Sequence, residues 1–272
     1  MEKNSTQYTT DAAALARLHK IKMFVLDMDG TIYLGDRLFP FTKGFLERVR
    51  QKGGDFCFFT NNSSKNREAY LQKLSSMGIH IPPEKMLISN DVILRWLQKH
   101  HPGESCYVVG TPALREDFAQ AGIPQQKEAD YVVLGFDTTL TYEKLCIACD
   151  LVRAGKPIYG VNPDLNCPVE GGFIPDCGSM AALIKASTGV QCEFFGKPSP
   201  HTLDYMLSQT GCKPEEMAVV GDRLYTDIAV AAGTAVSSIL VMSGETTPEM
   251  LSQSEVQPDF VFADLGQLAQ CL

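Results

Sequence analysis

Short apolar runs alternate with amphipathic segments along most of the chain, and this alternation predicts the fold. The clearest run, Met23–Leu26, stops abruptly at Asp27-Met28-Asp29-Gly30-Thr31. A short apolar run bounded by turn residues is typical of a buried strand in a parallel sheet. Such runs predict strands at 23–26, 55–59, 86–88, 106–109, 131–136, 157–161, 193–195, 217–220, 238–242 and 260–262. Periodicity of apolar positions predicts helices at 41–52, 66–77, 91–100, 112–121, 143–154, 179–186, 201–210 and 226–232. The alternation indicates an α/β fold with a doubly wound parallel sheet.

Two stretches depart from this alternation. His100-His101-Pro102-Gly103 separates two series of strands and helices and is rich in turn residues, so it marks a candidate domain boundary. The segment 162–178 is rich in Pro, Gly and Asp and shows no periodicity. An irregular loop of that length inside a compact domain more often binds a ligand than merely connects two elements. We therefore expect 162–178 to be a binding loop.

Composition and charge narrow the range of partners. The 272 residues are 44% hydrophobic and 21% charged, and the net charge is −8. A nucleic-acid-binding protein presents a basic face, so the charge argues against nucleic acid as a partner. It does not exclude an anionic substrate, which a few lysines or a bound cation can hold. No apolar stretch reaches the roughly 20 residues of a membrane span, and the N-terminal segment lacks the apolar centre of a signal peptide. We expect a cytoplasmic protein without a membrane partner.

The nine cysteines are odd in number and widely scattered, several of them within apolar runs. This pattern predicts reduced, mostly buried thiols rather than a disulfide framework. Cys146 and Cys149 form a C-x-x-C pair within the predicted helix 143–154. Because no second pair and no histidines accompany them, we interpret the pair as helix packing rather than as a zinc site.

Four apolar runs end at residues suited to phosphate chemistry, namely Asp27, Thr60, Lys197 and Asp222. The carboxyl ends of parallel strands form the ligand crevice of an open α/β sheet, so these residues are expected to converge. The neighbouring carboxylates of Asp27 and Asp29 repel each other unless a cation or a proton lies between them, which suggests a metal site. Asp222 would add a carboxylate for Mg²⁺, and Lys197 would add positive charge for an anionic substrate.

The same residue types match the steps of phosphoryl transfer. A carboxylate such as that of Asp27 can be the nucleophile that forms an aspartyl-phosphate. Asp29 could protonate the leaving oxygen and later deprotonate water. Thr60 and the Asn61 amide could donate hydrogen bonds to phosphoryl oxygens. Taken singly, each of these residues also fits an ordinary polar turn, and another predicted strand ends in Asp137 without such a role.

Four segments of the chain, DMDGTI, TNNSS, GKPSP and GDRLYTD, follow one another in this order. Together they resemble the four motifs of the haloacid dehalogenase superfamily of phosphatases. The pattern is most similar to the 4-nitrophenylphosphatase and pyridoxal-phosphatase-like branch, whose cap domain lies between the second and third motifs. The similarity extends from Ile21 to about Leu265 and therefore covers nearly the whole chain.

The resemblance implies a role for each motif residue. Asp27 would be the nucleophile, and Asp29 would be the general acid and base. The phosphoryl group would be bound by Thr60, Asn61, Asn62 and Lys197. The Mg²⁺ ligands would be the Asp27 carboxylate, the Asp29 main-chain carbonyl and the Asp222 carboxylate. Asp227 would be an outer-shell anchor for Lys197 or for a metal-bound water.

The resemblance also implies a domain organisation. Residues 1–100 and 191–272 would form the catalytic Rossmann-like core, and 101–190 would form an inserted α/β cap. The cap would set the substrate through the loop 162–178, where the polar residues expected to meet the leaving group or bind the substrate are Asn162, Asp164 and Asp176. In this branch two copies can associate through their caps.

One departure from the pattern bears on the substrate. In pyridoxal-phosphatase-like members the cap loop can carry a histidine, but none stands between His101 and His201. This argues against pyridoxal 5′-phosphate and leaves a sugar phosphate, a nucleotide or a similar small ester as the expected substrate.

The sequence therefore predicts a Mg²⁺-dependent phosphatase that hydrolyses small phosphomonoesters through an aspartyl-phosphate. A haloalkanoate dehalogenase of the same superfamily usually lacks the second aspartate, so Asp29 argues against that activity. A phosphoryl mutase, which would release an isomerised sugar phosphate instead of phosphate, stays open. So does a non-catalytic module that binds a phosphorylated metabolite at a vestigial site.

Overall fold

The computed structural model describes residues 12–169 and 171–272. The chain divides into two compact units. Of the described residues, the first holds those up to Phe59, Met77–Ile79 and Leu203–Leu272, and the second holds Thr60–Ser76 and His80–Thr202. The predicted cap falls within the second unit, together with flanking segments that the sequence pattern grouped with the core. Residues 1–11, part of the N-terminal segment used to predict localisation, lie outside the described residues.

Strands and helices alternate along most of the described chain. The strands are β1 Met23–Leu26, β2 Tyr33–Leu34, β3 Arg37–Leu38, β4 Asp55–Thr60, β5 Met86–Ile88, β6 Cys106–Val109, β7 Tyr131–Leu134, β8 Ile158–Gly160, β9 Asn166–Val169, β10 Gly172–Pro175, β11 Glu193–Phe194, β12 Met217–Gly221, β13 Ser237–Val241 and β14 Phe260–Phe262. The helices are α1 Ala12–Leu18, α2 Thr42–Gln51, α3 Arg67–Ser76, α4 Ser89–His100, α5 Pro112–Gln120, α6 Tyr142–Arg153, α7 Cys177–Thr188, α8 Pro200–Thr210, α9 Pro248–Gln253 and α10 Leu265–Gln270.

The first unit is organised by parallel strands that lie side by side in the order β14, β13, β12, β1 and β4. From β1 the chain moves outward to β4 on one side, and later strands build β12, β13 and β14 on the other side. The direction in which successive strands are added to the sheet therefore reverses between β1 and β12. In open α/β sheets the carboxyl ends of the strands at such a switch point bound the ligand crevice. Leu26 lies opposite Val220 in the register, so the residues that follow β1 and β12 leave the sheet together.

Burial of apolar side chains explains this sheet. Its central strands are almost wholly buried, as expected of strands covered on both faces. Helix α2 buries Phe45, Leu46 and Val49, and the Phe45 ring meets Phe24 of β1 edge to face with the ring centroids 5.7 Å apart. Helix α10 packs against α2. The predicted parallel α/β fold is confirmed.

The second unit contains its own parallel sheet, in the order β11, β8, β7 and β6. Helices α6 and α7 contribute Ala148 and Ile184 to a buried apolar cluster with Leu134 of β7. Thr141 caps α6 by accepting a hydrogen bond from the Lys144 N–H. Beside this sheet, β9 and β10 form an antiparallel hairpin.

Three predicted segments differ clearly from the structure. The segment 162–178 was predicted to be irregular, but β9 and β10 make a hairpin within it. Helix α7 begins at Cys177 behind an Asp176 cap rather than at 179. The predicted helix 226–232 is instead a single wide turn at Leu224–Ile228, in which the Ala229 N–H donates to the Leu224 carbonyl five residues back.

The cysteines of the described chain are all free thiols, as the sequence predicts. Cys149 is buried and Cys146 is exposed on helix α6. Among residues 12–169 and 171–272, none of the helices combines the length and the apolar character needed to cross a membrane.

Candidate active site

Two aspartates leave adjacent strands at the point where the sheet order reverses. Asp27 follows β1 directly, and its N–H donates to the Val220 carbonyl of β12 at 2.8 Å. Asp222 follows the last residue of β12. Carboxylate oxygens of Asp27, Asp222 and Asp227 all lie within 4.8 Å of one another. The strand order thus creates a cluster of three carboxylates from positions far apart in the chain.

The wide turn at Leu224–Ile228 brings Asp227 into this cluster. The Arg223 N–H donates to Asp227 Oδ2 at 3.1 Å, which fixes the carboxylate close to the end of β12. Gly221 is required there because a Cβ atom at this position would overlap the Asp227 carboxylate. The motif resemblance places Asp227 in an outer shell, whereas its carboxylate lies among those of Asp27 and Asp222.

The Asp222 carboxylate is held by one oxygen and left open at the other. Its side chain is buried, with 2% of the residue surface exposed. Oδ2 accepts a hydrogen bond from the Glu245 N–H at 2.6 Å, while Oδ1 accepts none from the described residues. Burial raises the pKa of the Asp222 carboxyl, and the negative charge of Asp227 raises this pKa further.

The donor set fits a hard divalent cation. Mg²⁺ and Ca²⁺ take oxygen ligands, chiefly carboxylates, carbonyls and water. A buried carboxylate oxygen without a hydrogen bond is costly unless a cation or a proton meets it. Oδ1 of Asp222 is such an atom, and oxygens of Asp27 and Asp227 lie close to the same carboxylate. These residues can therefore hold a divalent cation.

The loop after Asp27 holds the second predicted catalytic aspartate. Asp29 is partly buried, and the Tyr33 hydroxyl lies 3.4 Å from its Oδ2. The Gly30 N–H donates to the Tyr33 carbonyl at 2.8 Å, which closes the loop into a tight turn. Gly30 has a φ of 85°, a left-handed conformation that glycine adopts without strain. A Cβ atom at Gly30 would also overlap the Asp222 carboxylate, so this position needs glycine for two reasons.

In the second unit, two hydrogen bonds join the Asn61 side chain to the Lys197 main chain. The Lys197 N–H donates to Asn61 Oδ1 at 2.8 Å, and Asn61 Nδ2 donates to the Lys197 carbonyl at 3.0 Å. Lys197 is 2% exposed, so its position is set by packing as well as by this pair of hydrogen bonds. The side chain of Asn61, predicted to bind a phosphoryl group, is occupied in fixing the backbone of Lys197.

The remaining predicted phosphate residues lie in the same unit. Thr60 is buried, and its Oγ1 accepts a hydrogen bond from the Asn62 N–H at 3.2 Å. Asn62 Oδ1 accepts from the Ser64 N–H and from the Ser64 hydroxyl, a side-chain turn that shapes the TNNSS segment. The Asn62 side chain therefore has a local structural role in this structure.

The polar residues of 162–178 that the sequence predicts to meet the leaving group make hydrogen bonds within the second unit. Asn162 is 0% exposed, and its Nδ2 donates to the Asn61 carbonyl at 2.7 Å. Asp164 is nearly buried, and its Oδ1 lies 3.4 Å from Asn61 Nδ2. Asp176 accepts a hydrogen bond from the Cys177 N–H at the start of α7. Asn162 and Asp164 thus both contact Asn61 of the TNNSS segment.

Several residues that hold the carboxylates in place were not predicted from the sequence. These are Gly30, Tyr33, Ser243, Gly244 and Thr246. The available signal was that the predicted strand 238–242 also ends in a polar segment with a glycine. Its relevance depends on β13 lying next to β12, which a local pattern does not reveal.

Comparisons with known proteins identify the family of the chain. Residues 24–124 match the family model described as haloacid dehalogenase-like hydrolase, and residues 194–268 match the HAD-hydrolase-like model. The chain is 34% identical over 252 residues to an acid sugar phosphatase of Staphylococcus aureus, covering 92% of this chain and 97% of that protein.

Solved structures of phosphatases are also similar to this chain. A 4-nitrophenylphosphatase from Thermotoga maritima is 45% identical with a TM-score of 0.90, covering 93% of this chain and 98% of that one. A glycerol phosphate phosphatase from Mycobacterium tuberculosis, solved in complex with calcium, is 27% identical with a TM-score of 0.84, covering 93% of this chain and 76% of that one.

Proposed function

The chain belongs to the haloacid dehalogenase-like hydrolases and is a phosphatase that acts on phosphomonoesters, and from this premise we propose a Mg²⁺-dependent reaction through a phosphorylated Asp27. The cluster of Asp27, Asp222 and Asp227 carries the proposal. Three carboxylates this close, one with an unbonded buried oxygen, suit a divalent cation better than any purely structural role.

The reaction would proceed in two steps. A carboxylate oxygen of Asp27 attacks phosphorus, the bond from phosphorus to the ester oxygen breaks, and Asp29 gives its proton to the leaving alcohol. Water then attacks the phosphorus of the aspartyl-phosphate, Asp29 takes the proton of that water, and inorganic phosphate leaves Asp27 free. Tyr33, close to Asp29 Oδ2, would orient the Asp29 carboxyl between these two tasks.

The cation would be held by the carboxylates of Asp27 and Asp222, the Asp29 main-chain carbonyl and, from its place in the cluster, Asp227. When bound, it would supply positive charge that offsets the negative charge of the phosphoryl oxygens and reduces the repulsion between the carboxylates. Mg²⁺ accepts oxygen ligands of this kind, and water and phosphate oxygens of the substrate would complete its shell.

Lys197 and Thr60 would bind the phosphoryl group. A buried ammonium group offers a strong charged hydrogen bond to an anion, and a threonine hydroxyl offers a neutral one. Asn61 would act through Lys197, because its carboxamide makes two hydrogen bonds to the Lys197 main chain. We assign Asn62 and Asp164 to the support of this segment.

The second unit would set the substrate as an inserted cap built on residues 101–190. The names of the relatives, acid sugar phosphatase and glycerol phosphate phosphatase, support a leaving group that carries hydroxyls. The hairpin of β9 and β10 exposes Phe173 to 65%, together with Val169, and this apolar surface supports association of two copies through the cap. Free thiols throughout the described chain support a reducing compartment such as the cytoplasm.

The test is a phosphate-release assay with and without Mg²⁺ on sugar phosphates, glycerol phosphates, nucleoside monophosphates and 4-nitrophenyl phosphate. Asp27→Asn should abolish turnover, a loss of at least about a thousandfold, because an amide cannot form the acyl-phosphate. Asp36→Asn, which changes an exposed carboxylate in the same unit, should keep wild-type activity.

Three results would contradict the proposal. Full activity of Asp27→Asn would remove Asp27 as nucleophile. Turnover of sugar phosphates to isomers without phosphate release would indicate a mutase. No hydrolysis of any ester with Mg²⁺ present would indicate a binding module. Trapping of the phosphorylated chain in Asp29→Asn, detected by intact mass spectrometry, would support the second step.

A further inference from the structure

The segment Ser243–Thr246, which we term the Asp222 loop, makes hydrogen bonds to the loop after β1 and to Asp222 after β12. It follows β13, the neighbour of β12 in the sheet. The Ser243 hydroxyl donates to the Gly30 carbonyl at 2.7 Å, in the loop that carries Asp27 and Asp29. Further along the segment, the Glu245 N–H donates to Asp222 Oδ2 at 2.6 Å.

The loop also holds the main chain of Asp222. The Thr246 N–H and the Thr246 hydroxyl both donate to the Asp222 carbonyl, at 3.2 and 2.5 Å. Asp222 is thus fixed at its carbonyl and at one carboxylate oxygen by a single tetrapeptide. The free oxygen, Oδ1, is buried and receives no hydrogen bond from the described residues. Such an arrangement leaves one lone-pair direction available for a cation and fixes the side-chain rotamer.

Two glycines sandwich the same carboxylate. A Cβ atom at Gly244 would overlap Asp222 Oδ2, and a Cβ atom at Gly30 would overlap it as well. The backbone therefore approaches Asp222 from two directions, and the plane of the carboxylate has little freedom to rotate. A pre-oriented ligand binds a cation without losing side-chain entropy on binding.

The Asp222 loop is itself anchored to the turn that presents Asp227. The Glu245 carboxylate forms an ion pair with Arg223, with Oε2 2.9 Å from Nε, and its Oε1 accepts a hydrogen bond from the Tyr225 hydroxyl at 2.9 Å. The loop after β13 and the turn after β12 are therefore held to one another by side chains as well as by main-chain contacts.

We propose that Ser243, Gly244 and Thr246 are positioning residues that set the affinity of the carboxylate cluster for a divalent cation by holding Asp222 and Gly30. The inference rests on the proposed function, since it concerns the same cluster, and adds the element that orients it. Groups that orient metal ligands typically contribute about 10- to 100-fold to metal affinity.

The test is isothermal titration calorimetry of Mg²⁺ alone with the full chain, without substrate. Thr246→Val keeps the shape and removes the hydroxyl, and we expect the Kd for Mg²⁺ to rise about tenfold. Ser243→Ala should act similarly, while Thr246→Ser, which retains the hydroxyl, should restore wild-type affinity. Gly244→Ala should raise the Kd by about a hundredfold, because its methyl displaces the carboxylate. At saturating Mg²⁺ the KM for 4-nitrophenyl phosphate should stay within about twofold for Thr246→Val.

Thr247→Val is the matched control. The Thr247 hydroxyl accepts from the Met250 N–H at the start of α9, so it caps that helix instead of holding Asp222. This variant should lose some thermal stability but bind Mg²⁺ as the wild type does. Circular dichroism shows whether Gly244→Ala folds, and the threonine variants decide the question if it does not.

The outcomes separate the two proposals. Wild-type affinity in Thr246→Val and Ser243→Ala, or an equal loss in Thr247→Val, overturns the positioning role while the proposed function stands. A wild-type chain that binds no Mg²⁺ in the calorimeter, and releases no phosphate with Mg²⁺, overturns both. The expected graded loss confirms the role of the Asp222 loop.

Discussion

Replacing Asp222 by asparagine is expected to stabilise the metal-free protein at neutral pH. The Asp222 carboxyl is buried beside Asp227, and one of its oxygens has no hydrogen bond from the described residues. In Asp222→Asn the amide oxygen can keep the hydrogen bond from the Glu245 N–H. The NH₂ group then takes the place of Oδ1, where it faces carboxylates as a donor. The substitution removes a buried charge and its repulsion without opening a cavity.

The magnitude follows from the pKa of Asp222. Burial and the charge of Asp227 raise the pKa of this carboxyl from 3.8 to about 7 in the folded chain. The folded state therefore holds the proton more tightly than the unfolded state, so the wild type loses stability as pH rises from about 4 to 7. Below this window both states are protonated, and above it both are ionised. At about 1.4 kcal/mol per pKa unit, the loss across the window is about 4 kcal/mol.

The assay is urea unfolding in EDTA at pH 5 and at pH 8, followed by far-UV circular dichroism. The single tryptophan, Trp96, lies in the second unit, so tryptophan fluorescence would not follow the unit that holds Asp222. The stability advantage of Asp222→Asn over wild type should grow by about 3 kcal/mol from pH 5 to pH 8. Asp36→Asn, at an exposed site, should show no such growth.

Mg²⁺ should reverse the order of stability, so that the wild type becomes more stable than Asp222→Asn. At about a thousand times its Kd, Mg²⁺ should stabilise the wild type by about 4 kcal/mol, from RT ln(1 + [Mg²⁺]/Kd), and should leave Asp222→Asn almost unchanged. If the variant is less stable than wild type in EDTA at pH 8, then the Asp222 charge is compensated within the protein, and the argument for an uncompensated carboxylate fails.

Two further predictions concern the second unit. Asn61→Asp replaces the donor to the Lys197 carbonyl by an oxygen. In a steady-state assay kcat should therefore fall about 10- to 100-fold with little change in KM. An unchanged kcat would contradict the positioning of Lys197 by Asn61. The Asp137 side chain is fully buried, and its Oδ2 lies 2.6 Å from Lys144 Nζ. Asp137→Asn should therefore lower the free energy of unfolding by about 2 kcal/mol, measured by thermal unfolding. Activity should be retained at temperatures where the variant is folded. Loss of activity without loss of stability would contradict this structural role.

The periodic elements could be predicted because each buries apolar residues at a regular spacing. The strand predicted at 106–109 matches β6, and the helix predicted at 112–121 matches α5 to within one residue. The hairpin of β9 and β10 was missed because its residues are exposed or only partly buried, so it has no apolar face to detect. Helices α9 and α10, six residues each, are too short to show a period.

Local sequence determined where each strand stops, and so it determined the chain positions of Asp27, Thr60, Lys197 and Asp222 as candidates. An apolar run that ends in a charged or polar residue is a local transition, visible without knowledge of neighbours. The motif set identified the family for the same reason, because each motif is a contiguous segment at such a strand end.

Only the tertiary structure decided which groups surround those carboxylates. The order of the strands places β13 beside β12, which brings the Asp222 loop onto the cluster, and a wide turn brings in Asp227. Burial, the unbonded Oδ1 and the raised pKa of Asp222 follow from these neighbours. They arise from packing between segments distant in the chain, which no local pattern of apolar and polar residues encodes.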